Sequence, residues 1–270
     1  MLRKTIIFWV VAILITFAAA YYQRRTGPTH PADAAVTFGG TQYHFEMLRS
    51  HGGDDDAEIR IEMPDEKVTG ELKYRRFPTN EEWQTTEFVR EENSIVARLP
   101  HQPPAGKLEY YLTLNDGTDS TTVGEKAPIV IRFKGDVPGW VLLPHVVVIF
   151  AAMLISNLAG LMAAFKDERH RFYMFLAFAL LLVGGMILGP IVQQYAFGAL
   201  WTGVPFGWDL TDNKTLIAVI AYLIAVIFNR KGDKPYLTWI AALVVIVVFS
   251  IPHSAFGSEL DYSSGKIGIG

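Results

Sequence analysis

Cysteine is absent from this chain. That gap excludes disulfides, thiolate metal sites, thiol catalysis, thioether attachment of haem and acylation at a lipoprotein cysteine. Net charge is nearly absent too: the formal value is −3, which gives no electrostatic case for nucleic acid. There is no internal repeat, nucleotide-binding glycine loop or low-complexity tract. No Ser/His/Asp or paired-carboxylate constellation stands out, so no catalytic residue is assigned and an enzyme is not expected.

What the chain does have is apolar residue in long blocks. Half of its 270 residues are hydrophobic while 19% are charged, a mixture that fits a membrane bundle joined to a soluble domain. Five apolar runs stand out, at 5–22, 140–165, 172–195, 215–228 and 236–251. A spanning helix needs about 20 apolar residues to cross a hydrocarbon core of about 30 Å. The second, third and fifth runs meet that length comfortably, and the fourth does so if it is extended to Leu210–Asn229. No Asp, Glu, Lys or Arg is expected inside the membrane, which argues against a proton pump or an ion-coupled transporter.

The short loops 166–171 and 229–234 are basic, and Arg3 and Lys4 open the chain. By the positive-inside bias all three are cytoplasmic, with Arg24 and Arg25 opposing that assignment. The segment between the first two runs, the loop 196–214 and the tail 253–270 then lie outside. The expected location is the inner (cytoplasmic) membrane of a bacterial-type cell. The first run is either an uncleaved anchor or a signal peptide, since Ala18, Ala19 and Ala20 form a small-residue cleavage pattern.

Residues 23–34, with Gly27, Pro28 and Pro31, read as a linker. After them apolar residues recur at every second position, as in Ile59, Ile61 and Met63, or in Leu108, Tyr110, Leu112 and Leu114. That period marks strands with one buried face. Similar segments fall at 42–48, 70–76, 84–89, 94–99 and 129–134, separated by Gly, Pro, Asn and Asp turns. Seven short strands over about a hundred residues predict a β-sandwich. The fold class expected is therefore a membrane α-helical bundle of five spans plus an extracytoplasmic all-β sandwich. Its divisions are 1–22 (anchor or signal), 23–34 (linker), 35–137 (sandwich), 138–252 (a four-helix transmembrane bundle) and 253–270 (extracytoplasmic tail). The sandwich pattern resembles immunoglobulin-like and fibronectin type III domains, which implies a binding or spacer module. Within it Tyr74 and Trp83 are expected in the core, and Asp54, Asp55 and Asp56 in a solvated turn.

Two histidines fall near the outer ends of different spans: His145, five residues after Trp140, and His253, directly after Pro252. Two imidazoles from separate helices can ligate haem iron or another metal. Between them in sequence lies a loop with Trp201, Phe206, Trp208, Asp209 and Asp212. An aromatic interfacial belt and a helix N-cap account for part of it. A rigid aromatic platform over a planar cofactor is the other reading.

The segment from Trp201 to Leu216 resembles the tryptophan-rich loop of the membrane haem-handling proteins of cytochrome c maturation. Trp201, Trp208-Asp209, Asp212 and Leu216-Ile217 carry the likeness, while Phe206 and Leu210 stand where that family has Trp and Pro. The resemblance implies an extracytoplasmic loop that contacts haem b through Trp201, Trp208 and Asp209, flanked by the ligands His145 and His253. The tail, with Glu259, Leu260 and Tyr262 after His253, is similar to the ends of small bacterial membrane proteins thought to be cytochromes.

The expected role is a membrane accessory or assembly protein acting at the outer face, holding haem b for electron transfer or cytochrome assembly. A docking subunit without cofactor is the alternative, and a transport facilitator or sensor a further one. The partners expected are the lipid bilayer, an extracytoplasmic protein and the subunits of a membrane complex.

Overall fold

The computed structural model describes residues 2–253, 255 and 257–269. Ser254, Phe256 and Gly270, part of the tail 253–270, lie outside the described residues. The chain divides into two compact units, one of Met1–Pro28 and Val137–Ser258, the other of Thr29–Asp136 and Glu259–Gly268.

The first unit is helical. It holds α1 (Leu2–Thr26), α2 (Gly139–Ala164), α3 (His170–Leu181), α4 (Gly189–Phe197), α5 (Leu210–Asn229) and α6 (Pro235–Ser250). A π-helical segment, Leu182–Leu188, joins α3 to α4. Among the described residues four helices are long and apolar enough to cross a membrane: Arg3–Thr26, Gly139–Ala164, His170–Phe197 and Leu210–Asn229. The fifth run, expected to span comfortably, is the short one, because α6 has 16 residues, about 24 Å of helix. Pro252 is the reason: the residue before a proline is pushed out of the α region, and Ile251 is extended at φ −67°, ψ 126°. The linker is shorter than expected as well. Nothing breaks α1 before Gly27-Pro28, and the first strand starts at Ala32.

Polarity in this unit is arranged inside out. Leu14, Phe17, Val147, Phe150, Ile227 and Val247 are exposed, while Thr16, Ser156, Asn157, His170, Tyr222 and Thr238 are buried. The buried groups bond between helices. Asn157 Nδ2 donates to Thr16 Oγ1 at 2.9 Å, and the Tyr222 hydroxyl donates to Ser156 Oγ at 2.7 Å. At the end with the basic loops, His170 bonds Thr238 Oγ1 and Asp233 Oδ1 at 3.3 and 3.2 Å. Such bonds tie helices together where packing alone gives little specificity.

The second unit is β-structure around one apolar core. β1 (Ala32–Phe38) and β2 (Thr41–Met47) form a hairpin. Its two turn residues, Gly39 and Gly40, have φ of 55° and 80°, the left-handed geometry that matches strand twist in a tight hairpin. A larger sheet runs β3 (Ser50–Gly52), β11 (Ile129–Lys134), β9 (Lys107–Asn115), β5 (Thr69–Arg76) and β6 (Gln84–Glu87), with β10 (Ser120–Val123) also on β9. A third sheet holds β4 (Ala57–Glu62), β8 (Ser94–Leu99) and β7 (Val89–Glu91). Phe38, Ile59, Leu72, Leu99, Leu112 and Phe133, drawn from all three sheets, share the core.

Trp83 is not in that core. Tyr74 packs against it, but alternation turns Arg75 to the opposite face of β5. There the Arg75 guanidinium lies 4.5 Å over the Trp83 ring, and Tyr111 meets the same ring edge-on at 4.8 Å.

The tail forms β12 (Ser258–Asp261) and β13 (Lys266–Ile269). Glu259 pairs with Lys107. The Tyr262 hydroxyl accepts from Lys107 N at 2.9 Å and donates to Lys107 O at 2.8 Å. Arg76 covers its ring at 5.0 Å.

Candidate functional site

His145 sits one residue after Pro144, in the second turn of α2. Its Nδ1 lies 3.0 Å from the carbonyl oxygen of Gly184. A carbonyl can only accept, so Nδ1 carries the proton and Nε2 keeps its lone pair. The acceptor belongs to the π-helical segment, where the widened turn disturbs the usual pairing of main-chain groups. Gly189 borders the ring: a Cβ there would lie 3.7 Å from His145 Cε1, at ordinary contact distance.

His253 follows Pro252, beyond the end of α6. Lys214 and His145 are both close enough for their charges to act on its ring. The His253 side chain is exposed. The two sequence-predicted histidines are thus brought to the same end of the helical unit.

The loop between α4 and α5 is built around two aspartates. Gly198 closes α4 in the left-handed region at φ 74°. Asp209 caps α5, its Oδ1 accepting from Thr211 N at 2.8 Å and Asp212 N at 3.3 Å. Its Oδ2 accepts from Ser258 N and Oγ at 2.8 and 2.9 Å. Asp212 Oδ2 accepts from Thr202 N and Gly203 N at 2.6 and 3.0 Å. Gly203 permits this, since a Cβ there would stand 2.7 Å from Asp212 Cβ. Trp201 is half-buried and its Nε1 donates to Val204 O. Trp208 and Phe206 are exposed. Of the predicted set, Asp209 is committed to holding loop and tail, Trp201 is half-buried and Trp208 exposed.

The residue missed from the sequence is Lys214. The extended fourth run was expected to hold its polar start at the interface, with no charge within the span. In the structure α5 carries Asp212 and Lys214, both buried, at 5% and 1% exposure. Lys214 Nζ donates to Ile251 O at 2.7 Å, beside His253. The available signal was the length of the run itself: without residues 210–214 it is too short to span.

Among the described residues no three His, Cys, Asp or Glu side chains gather as a metal site. Two imidazoles alone suit haem iron, whose porphyrin supplies the other four nitrogens. Comparison with known protein families, with curated proteins and with solved structures finds no match.

Proposed function

We propose that this is an inner-membrane protein that holds haem b at the extracytoplasmic end of its helical bundle, between His145 and His253. The inside-out polarity of the helical unit fits a lipid surround, and the basic loops support a cytoplasmic side for α1's start and the α2–α3 and α5–α6 turns. The β-unit, read as a two-layer immunoglobulin-like sandwich, then lies outside.

The observation that carries the proposal is the His145 Nδ1 bond to the Gly184 carbonyl. Histidines that bind metal almost always donate their second nitrogen in this way, which fixes the ring and leaves the other nitrogen as ligand. His253 offers a second imidazole at the same end of the helical unit, and the loop between α4 and α5 of that unit carries Trp201 and the exposed Trp208. Without cysteine, attachment is non-covalent. Bound haem supplies a one-electron couple tuned by its ligands and burial. The role that follows is electron transfer or haem handling in cytochrome assembly.

The test is His145→Ala and His253→Ala in the full-length protein, purified from haem-replete cells. Both variants should lose the Soret band while keeping their elution profile, and imidazole should restore part of it. An unchanged spectrum in both sinks the assignment.

A docking role is favoured by one separate feature. Trp83, Arg75 and Tyr111 form a patch on the outer face of the β5–β9 sheet, and these residue types dominate binding hot spots. Trp83→Ala should then release a co-purifying extracytoplasmic protein; unchanged co-purification would remove this reading.

A further inference from the structure

We propose that the basic end of the helical unit is a docking surface for anionic phospholipid of the cytoplasmic leaflet. Headgroup phosphates meet unpaired lysines and arginines there, and acyl chains meet exposed phenylalanines. The inference rests on the membrane reading above and not on haem.

Three segments carry the charge: 3–4 at the start of α1, the α2–α3 turn 166–171 and the α5–α6 turn 229–234. Together they hold eight Lys and Arg against three Asp and Glu. Side-chain bonds tie the three segments to one another. Arg169 donates to Thr5 Oγ1 at 2.9 Å, Arg171 donates to the Asn229 carbonyl, and His170 bonds Asp233 at 3.2 Å. Most of the local negative charge is thereby occupied, since Asp167 pairs with Arg169 at 2.7 Å and Asp233 faces His170. Arg3, Lys4, Lys166, Arg230 and Lys231 are exposed and form no ion pair among the described residues. Cations gathered at one end repel one another, and an anionic surface relieves that repulsion.

Apolar surface adjoins these cations. Phe165 precedes Lys166, Phe172 follows Arg171 and Phe228 lies two residues before Arg230; the three are exposed by 70%, 65% and 51%. Phe8 of α1 packs beside Phe165, with ring centroids 5.4 Å apart. Cations beside exposed phenylalanines match a ligand with an anionic head and apolar chains; a free phosphate would use only the cations. The connection 198–209, at the opposite end, holds no Lys or Arg, so charge complementarity favours the basic end. Each Lys or Arg near an anionic membrane contributes about fivefold in affinity.

The test uses the full-length protein in a neutral detergent and counts bound lipid by native mass spectrometry. The probes are dioleoyl phosphatidylglycerol, dioleoyl phosphatidylcholine and glycerol phosphate. Phosphatidylglycerol should bind at least about tenfold more tightly than phosphatidylcholine, and glycerol phosphate should not compete. Arg230→Gln/Lys231→Gln and Lys4→Gln/Lys166→Gln should each lose at least about tenfold in phosphatidylglycerol affinity and keep that for phosphatidylcholine. Arg24→Gln, at the other end of α1, should bind as the wild type does. Equal wild-type affinity for the two lipids overturns the surface, as does a loss in Arg24→Gln that matches the basic-end variants. Competition by glycerol phosphate reduces the surface to a phosphate site and also overturns it. If the wild type binds neither lipid, the membrane reading itself fails.

Discussion

His145 in α2 donates from Nδ1 to the carbonyl of Gly184, 3.0 Å away in a π-helical turn. The bond couples a backbone irregularity to the orientation of one imidazole. Gly184 also lies tight against α2, for a Cβ there would meet Val148 Cγ1 at 3.0 Å and Ile149 Cγ1 at 3.1 Å. Gly184→Ala should push the π turn away from α2 and loosen its hold on the ring. Haem affinity should fall by about tenfold, the scale seen when an orienting partner of a metal ligand is lost. Titration followed at the Soret band measures it; an unchanged affinity would mean the carbonyl does not orient His145.

Gly185 and Gly189, a small-residue pair in the sequence, serve different neighbours. Gly189 borders His145, whereas Gly185 faces Thr215 of α5, where an added Cβ would stand 2.5 Å from Thr215 Cγ2. Gly185→Ala should destabilise the helical unit by about 1–3 kcal/mol, the usual cost of overpacking. Thr215→Ser removes the clashing methyl, so the double variant should recover most of that loss. Thermal unfolding in detergent reads both; a double variant no better than Gly185→Ala would show that the contact is elsewhere.

Asp209 ties the α5 N-terminus to the start of the tail. Asp209→Ala should cost about 1–2 kcal/mol for the cap, and the stranded Ser258 N–H adds to it. Asp209→Ser can restore the cap but not the Ser258 bonds, so it should melt between the two. Both Asp209 oxygens already accept bonds from Thr211, Asp212 and Ser258, so the wavelength of the haem bands should not move. A shift of those bands would place Asp209 at the cofactor.

The tail hairpin gives a pH dependence. Burial, ahead of smaller charge effects, pushes the Tyr262 phenol up to about 12 from its ordinary 10.0. A raised folded value means stability that is complete below the ordinary value and lost as pH rises through the folded one. The β-unit of the full-length protein should therefore weaken between about pH 10 and pH 12. Tyr262→Phe should be less stable at neutral pH, through loss of its bonds to Lys107, and should flatten the alkaline decline. An equally steep decline in the variant would assign it to other groups.

The strands were the most legible part of the sequence, because Ile59, Ile61 and Met63 or Leu108 to Leu114 alternate strictly. β1 was not legible: Ala32 and Ala34 are weak apolar markers beside two prolines, and the stretch looks like linker. Trp83 was misplaced because its bulk suggested core, while neighbouring Arg75 and Tyr111 take the outward positions of their strands. At the candidate site, charge bias sufficed to bring His145 and His253 to one end. The burial of Lys214 was hidden, since it depends on Ile251, 37 residues away. The π turn has no local pattern that separates it from α-helix, so the bond that orients His145 could not be read either.

The most direct measurement is a dithionite-reduced minus oxidised absorbance spectrum of the purified full-length protein, with haem counted as its pyridine complex. The protein should show a low-spin b-type spectrum at about one haem per chain, as two imidazole ligands require. A colourless, folded protein from haem-replete cells would contradict the account.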